Sequence, residues 1–255
     1  MQRLKIKFWN LTSILSITVI SLLSPITAFK FAQAGPSSYQ RTCHSEKIYT
    51  AYNITYLEAD CKNVNGVSIK SQLKLLGINN KDGKLIQNPL VGATSFFPTC
   101  TAINVFNGNL SAYCLKINRQ YYGNNISLEE ITNHNGYLAY EWNKIIQETA
   151  NKIGYGHAYY SHANEFKSST HSPSQGTMSK IAEDILSNNR NKVLNGDFKT
   201  LGQGRAAYWG EIKPSSYLGG YSSYKGTIVI IDPSTGDMGT MFIPLRGKTY
   251  FDNLR

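Results

Sequence analysis

The apolar and turn-forming positions in the first half of this 255-residue chain fall in a pattern that occurs twice. A shift of 53 places sets Leu57 on Leu110, Ala59 on Ala112, Cys61 on Cys114, Leu73 on Ile126, Leu75 on Leu128 and Ile78 on Ile131. The same shift sets Asn80 on Asn133, Asp82-Gly83 on Asn135-Gly136 and Leu85 on Leu138. The opening pairs Thr42-Cys43 and Thr99-Cys100 need a shift of 57, so the first copy carries a loop four residues longer. Short β-prone segments run over Lys47–Leu57, Ser68–Leu75, Lys84–Gln87, Ile103–Phe106, Leu110–Lys116 and Tyr137–Tyr140. Asn65-Gly66, Asp82-Gly83, Asn107-Gly108 and Asn135-Gly136 separate or bound them. Both residue types of such dipeptides tolerate positive φ, which tight hairpins require. After a Pro/Ser linker at Gly35–Tyr39, the pattern predicts an all-β domain over residues 35–141. It has two pseudo-symmetric halves of three strands each, with a helical turn at Leu128–Thr132.

The period changes at Trp142. Trp142, Ile145, Ile146, Thr149 and Ile153 recur at helical spacing, and Gly154 is expected to end that helix. Met178, Ile181, Ala182, Ile185 and Leu186 mark a second helix, with Thr177 as N-cap. Strands follow at Phe198–Leu201, Arg205–Trp209, Thr227–Ile231 and Thr240–Ile243. Helices followed by an antiparallel meander read as an α+β domain over residues 142–255, long enough to fold alone.

The formal charge of +10 changes the picture less than it suggests. Arg3, Lys5 and Lys7 precede a mostly apolar run from Leu11 to Leu23, and Ala32-Gln33-Ala34 is an A-x-A cleavage site. Residues 1–34 therefore read as a signal peptide. The competing reading, an uncleaved anchor, meets a run shorter and richer in hydroxyls than the ~20 apolar residues a span prefers. Removal of the leader takes Arg3, Lys5, Lys7 and Lys30 and leaves about +6 over two halves, compatible with a polyanionic partner without demanding one. No later segment is long and apolar enough for a stable span, so the expected location is secreted or periplasmic.

Export makes the four cysteines readable. Cys43, Cys61, Cys100 and Cys114 all lie in the repeat, two in each copy, and an even set in an oxidising compartment reads as disulfides. Of three connectivities the repeat favours Cys43–Cys61 and Cys100–Cys114, each contributing roughly 3 kcal/mol by loop entropy. A zinc site would need a C-x-x-C or a nearby histidine pair, and neither occurs. No metal and no cofactor is expected. Asn53, Asn109 and Asn125 open N-x-S/T glycosylation patterns.

The tandem pattern T-C…L-x-A-x-C…I-x-N-x-(D/N)-G-x-L resembles the cyanovirin-N homology family. That resemblance covers nearly all of residues 35–141, including the four cysteines and the Phe96-x-x-Thr99-Cys100 junction. It implies a lectin fold with one disulfide per half and two sites for mannose-rich glycans near opposite ends. One site would combine Asn80, Asp82, Ser95 and Thr99; the other Arg41, Thr42, Lys62, Asn133 and Asn135. The amide, carboxylate and hydroxyl groups of these residues suit vicinal sugar hydroxyls. Six positions depart from the family pattern. Pro98 replaces a Glu, Leu115-Lys116-Ile117 a polar triplet, Asn135 an Asp, and Lys62 stands where an acid is frequent. The same asparagines and aspartate also serve simply as turn formers.

Short tracts beyond the repeat are similar to the C-terminal ribonuclease-type modules of bacterial polymorphic and contact-dependent toxins. They include Gly156-His157-Ala158, Gly204-Arg205 with Tyr208-Trp209, and Gly239-Thr240. That similarity implies metal-independent RNA cleavage, with RNA as substrate and an immunity protein as partner. His157 and His162 would act as acid and base, Arg205 and Thr240 on phosphate, and Tyr208 in positioning. Against this, His157 and His162 stand five apart, about 140° around a helix. The alternative reading is a non-enzymatic lectin whose C-terminal domain is a second binding or envelope-anchoring module.

Overall fold

A computed structural model describes residues 38–92, 94–128 and 130–255. The leader read over residues 1–34 lies outside the described residues. Each copy of the repeat folds as a three-stranded antiparallel sheet followed by a two-stranded hairpin. In the first copy these are β1 (Cys43–Ala51), β2 (Ile54–Lys62) and β3 (Ser68–Lys74), then β4 (Ile78–Lys81) and β5 (Lys84–Gln87). In the second they are β6 (Cys100–Phe106), β7 (Asn109–Leu115) and β8 (Tyr121–Ser127), then β9 (Ile131–His134) and β10 (Tyr137–Tyr140). The copies therefore hold five strands each, not three.

The undercount has local causes. The segment Lys47–Leu57 is a hairpin folded at Tyr52-Asn53, both at positive φ, a turn without the glycine that would have announced it. The expected helical turn at Leu128–Thr132 is replaced by the start of β9, where Ile131 pairs with Tyr140. Strand β8 runs through Tyr-Tyr-Gly-Asn-Asn-Ile-Ser, a composition that reads as loop. The Asn-Gly and Asp-Gly turns hold: Asp82, Gly83, Asn107, Gly108, Asn135 and Gly136 all have positive φ.

Symmetry extends to irregularities. Each sheet breaks register once, between His44 and Lys47 in β1 and between Thr101 and Asn104 in β6. Ser45 and Ala102, 57 apart, take the positive φ that the bulge requires. Beside each bulge the disulfides join Cys43 to Cys61 and Cys100 to Cys114. The hairpins then cross over: β4–β5 packs on β8 of the second copy, and β9–β10 on β3 of the first. Each pseudo-symmetric unit is thus a sheet from one copy closed by a hairpin from the other.

The second half follows as α1 (Trp142–Tyr155), α2 (His157–His162) and α3 (Gln175–Leu186), then β11 (Val193–Leu201) and β12 (Arg205–Ile212). It ends with α4 (Ser215–Leu218), β13 (Lys225–Ile231), β14 (Gly239–Phe242) and α5 (Lys248–Asp252). The four strands form an antiparallel meander, as the α+β reading expects. Helix α1 runs past Gly154, because that glycine is the crossing point with α3: a Cβ there would lie 2.2 Å from the Ser179 backbone nitrogen. The N-cap of α3 is Ser174 rather than Thr177, its Oγ accepting from the Thr177 N–H.

The expected division before Trp142 coincides with the start of α1, but the core crosses it. One cluster of buried side chains joins Leu57, Leu110 and Val91 to Ile145, Ile181 and Val229. The described residues belong to one compact unit. Asn88 Nδ2 donates to Thr149 Oγ1 at 3.1 Å, and Tyr208 donates its hydroxyl to the Leu90 carbonyl at 2.6 Å. A smaller cluster of Leu201, Ala207, Trp209, Ile228 and Phe251 covers the other face of the C-terminal sheet.

Candidate functional site

The exchanged hairpins decide what becomes of the predicted sugar residues. Asn80, in β4, donates through Nδ2 to Thr99 Oγ1 at 3.0 Å and to the Leu115 carbonyl at 2.9 Å, both in the second copy. Its Oδ1 accepts the Gly83 N–H at 2.8 Å, which closes its own turn. Asp82, at the tip, accepts the Ile117 N–H at 2.8 Å. Thr99 in turn donates to the Phe96 carbonyl at 3.1 Å.

The second site repeats these bonds. Asn133 Nδ2 donates to Thr42 Oγ1 and to the Lys62 carbonyl, each at 2.8 Å, and its Oδ1 accepts the Gly136 N–H at 2.7 Å. Asn135 Oδ1 accepts the Val64 N–H at 3.0 Å, and Thr42 Oγ1 donates to the Tyr39 carbonyl at 3.4 Å. Each pair of partners is related by the repeat shifts. These polar groups are therefore latches that hold each hairpin to the other copy's sheet. The tips stay accessible: Asp82, Thr99, Thr42 and Asn135 are all exposed.

Asn135 keeps the latch, because only an acceptor is needed toward Val64 and a carboxamide oxygen supplies one. The backbone partners, Leu115 and Ile117 in one latch and Lys62 and Val64 in the other, had not been singled out for that role. The shift of 53 relates Lys62 to Leu115 and Val64 to Ile117, so the signal was present. Ser95, also exposed, donates its hydroxyl to Asn79 Oδ1 at 2.6 Å.

The surroundings of the two tips differ. At the Asp82 tip Lys116 lies over Gly83, where a Cβ would meet its Cγ at 2.4 Å, and the Lys116 ammonium sits 4.2 Å from the Tyr122 ring centroid. The β13–β14 loop flanks the same tip: Lys81 bonds to Ser234 and pairs with Asp232 at 3.7 Å. At the Asn135 tip, Gly136 rests on Ile69 and Ser38 donates to Thr132 Oγ1 at 3.0 Å. Arg41 and Lys62 are exposed near it.

The residues expected to cleave RNA are only partly gathered. His157 and His162 do meet: helix α2 ends at His162 with φ −123°, and the ring centroids are 5.3 Å apart. His162 Nδ1 lies 2.7 Å from Glu165 Oε1, whose partner oxygen accepts the Ile243 N–H at 2.6 Å. His157 Nδ1 lies 3.2 Å from Ser161 Oγ, and the His157 backbone N–H donates to Asp237 Oδ2 at 3.0 Å. The His162 ring faces Phe242 in β14.

Arg205 starts β12, two strands away and four register rows from Phe242, and its Nε donates to the Gly202 carbonyl at 3.2 Å. Thr240 Oγ1 is buried in β14 with no hydrogen-bond partner among the described residues. Tyr208 is half-buried, its hydroxyl bound to Leu90, and burial pushes its phenol well above the ordinary tyrosine range. It lines a cleft of about 270 Å³ with Ile185, Asp197, Phe198 and Trp209. This geometry joins Tyr208 to the first half and not to the histidines.

Residues 39–139 match the family model of the CVNH domain. Among solved structures, a designed cyanovirin-N homolog lectin is 25% identical and aligns over 41% of this chain and 99% of its own, at TM-score 0.33. Microvirin, in a complex with mannobiose, is 23% identical over 41% of this chain and 98% of its own, at TM-score 0.32. A MoCVNH3 variant in complex with (N-GlcNAc)4 is 14% identical over 41% and 97%, at TM-score 0.35. No curated protein matches the chain.

Proposed function

We propose that the protein binds carbohydrate through the two turn tips of its repeat. The observation that carries this reading is the CVNH-domain match over residues 39–139, the segment whose tips leave Asp82, Thr99, Thr42 and Asn135 exposed. A hydroxyl-rich ligand suits such tips, since each offers side-chain oxygens and nitrogens already held by their neighbours, so little ordering cost is incurred on binding. Mannose-type glycans are the preferred ligand class. Two disulfides and the predicted leader support an exported setting, secreted or periplasmic.

Mannobiose and an N-acetylglucosamine tetramer are the first probes, titrated by calorimetry against wild type, Asp82→Ala, Asn135→Ala and the double variant. We expect each single variant to remove one class of sites and the double variant to remove all binding while circular dichroism stays unchanged. Absence of binding by wild type to either probe, and to a broader glycan array, sinks the reading. Unaltered binding by a folded double variant moves the site elsewhere.

For the second half the non-enzymatic alternative has more support than RNA cleavage. Lys81–Asp232, Asn88–Thr149 and Leu90–Tyr208 all tie it to the repeat, as expected of a buttress and additional surface. The one observation favouring catalysis is the His157–His162 pair. Incubating tRNA with the full chain and with His157→Ala decides the matter: cleavage by wild type that the variant lacks would restore the ribonuclease reading.

A further inference from the structure

The two three-stranded sheets share one plan but present different chemistry to solvent. In the first copy the outward rows at Glu58 and Asp60 carry charges, with Glu58 buried beneath its lysine partners. Glu58 is held by Lys47 at 2.8 Å and by Lys70 at 3.3 Å, and Lys70 also pairs with Asp60 at 3.2 Å. The repeat shifts replace every one of these charges in the second copy. Asn104 stands for Lys47, Ser111 for Glu58, Tyr113 for Asp60 and Gly123 for Lys70, and Tyr121 stands for Ser68.

Register sets the tyrosines side by side. Tyr113 pairs with Gly123 and Leu115 with Tyr121, so both rings project from one face at adjacent rows. They are 56% and 55% exposed, enough for a ligand to lie on them. The Tyr113 ring lies over Gly123, where a Cβ would sit in ordinary contact 3.4 Å from its Cε1.

The Asp82 hairpin packs on the opposite, buried face, where Asn124 bonds to Gly83 and Leu85, but its tip meets the end of the sheet at the row of Tyr121. Leu115, the cross-strand partner of Tyr121, gives its carbonyl to Asn80. Thr99, the other acceptor of Asn80, lies two residues before Thr101, which pairs with Tyr113. A ligand seated at Asp82 and Thr99 that passes over this end of the sheet would meet Tyr121 first and Tyr113 one row further on. An uncharged aromatic platform suits a neutral pyranose, whose apolar C–H face stacks on a ring while its hydroxyls meet asparagine, serine and threonine.

We propose that Tyr113 and Tyr121 form an extended subsite that stacks on the outer sugar residues of a neutral oligosaccharide whose end occupies the Asp82 tip. The inference rests on the carbohydrate-binding reading above, and one experiment separates the two. Mannose and N-acetylglucosamine oligomers of two to five residues are titrated against wild type, Tyr113→Ala, Tyr121→Ala and the corresponding Phe variants, all carrying Asn135→Ala to silence the other tip. For the series that binds, affinity should rise with length beyond the disaccharide. Each alanine variant should lose about three- to tenfold for the longer oligomers and nothing for the disaccharide, with Phe retaining the gain. If the alanine variants match the parent at every length, the subsite falls while the Asp82 reading stands. If Phe loses as much as Ala, ring stacking is wrong. If the parent binds no oligomer, the Asp82 site itself falls, and the subsite with it.

Discussion

Asn133 and Asn135 sit two residues apart in one turn and do different work. Asn133 donates two hydrogen bonds to the other copy and accepts one within its turn, whereas Asn135 only accepts. An aspartate keeps the acceptor and loses the donor. Asn135→Asp is therefore expected to leave stability within about 0.5 kcal/mol of wild type, as an exposed substitution that keeps its bond. Asn133→Asp should cost about 1–3 kcal/mol, because Thr42 Oγ1 and the Lys62 carbonyl lose their donor. Urea midpoints of the two variants check this, and equal midpoints would refute the division of labour. The sequence made both residues legible as turn formers and as sugar candidates. It did not show which of them bridges the copies, because two of the deciding partners are a backbone carbonyl and a backbone N–H.

At the scale of elements, the repeat made the hairpin turns, the disulfides and the pseudo-symmetry legible. Exchange of the hairpins was not, since pattern matching relates equivalent positions without saying which copy packs on which. Strands were missed where their composition resembles loop, as in β8, or where a turn lacks glycine, as at Tyr52-Asn53. The charged face of β1–β3 also emerges only from register. There Lys47 holds the Glu58 carboxyl at about 2, with Gln72 and Lys70 adding to it, against an ordinary value of 4.5. A depressed carboxyl contributes stability that is present above its unfolded pKa and is lost as pH falls through the folded one. This contribution should therefore fade between pH 4.5 and about 2. In melting curves across that window, Glu58→Gln should flatten part of the acid loss seen in wild type. The second sheet has no such ladder, so Ser111→Ala should leave the pH profile unchanged. A wild-type slope in both variants would place the acid lability elsewhere.

For the molecule as a whole, the change of texture at Trp142 marks a change of secondary structure, while the hydrophobic core continues through it. Composition could not reveal this continuity: Leu90 and Val91 look like ordinary apolar residues of the repeat, yet they are buried, and the Leu90 carbonyl accepts from Tyr208. A chain with one core should unfold as one unit, so calorimetry of residues 35–255 is expected to show a single transition in which melting of the repeat and of the α+β half coincide. Tyr208→Phe tests the coupling at one atom. It keeps the ring against Phe198, 4.9 Å away by centroid, and leaves the Leu90 carbonyl without its donor. The cost should be about 1 kcal/mol, which lowers the melting temperature by about 2–4 °C for a chain of this size. Because the bond joins the halves, that shift should be equal when followed by disulfide-half probes and by the Trp209 environment. Two separate transitions in wild type, or a shift confined to the C-terminal probe, would mean that the halves fold independently and that the contacts between them are superficial.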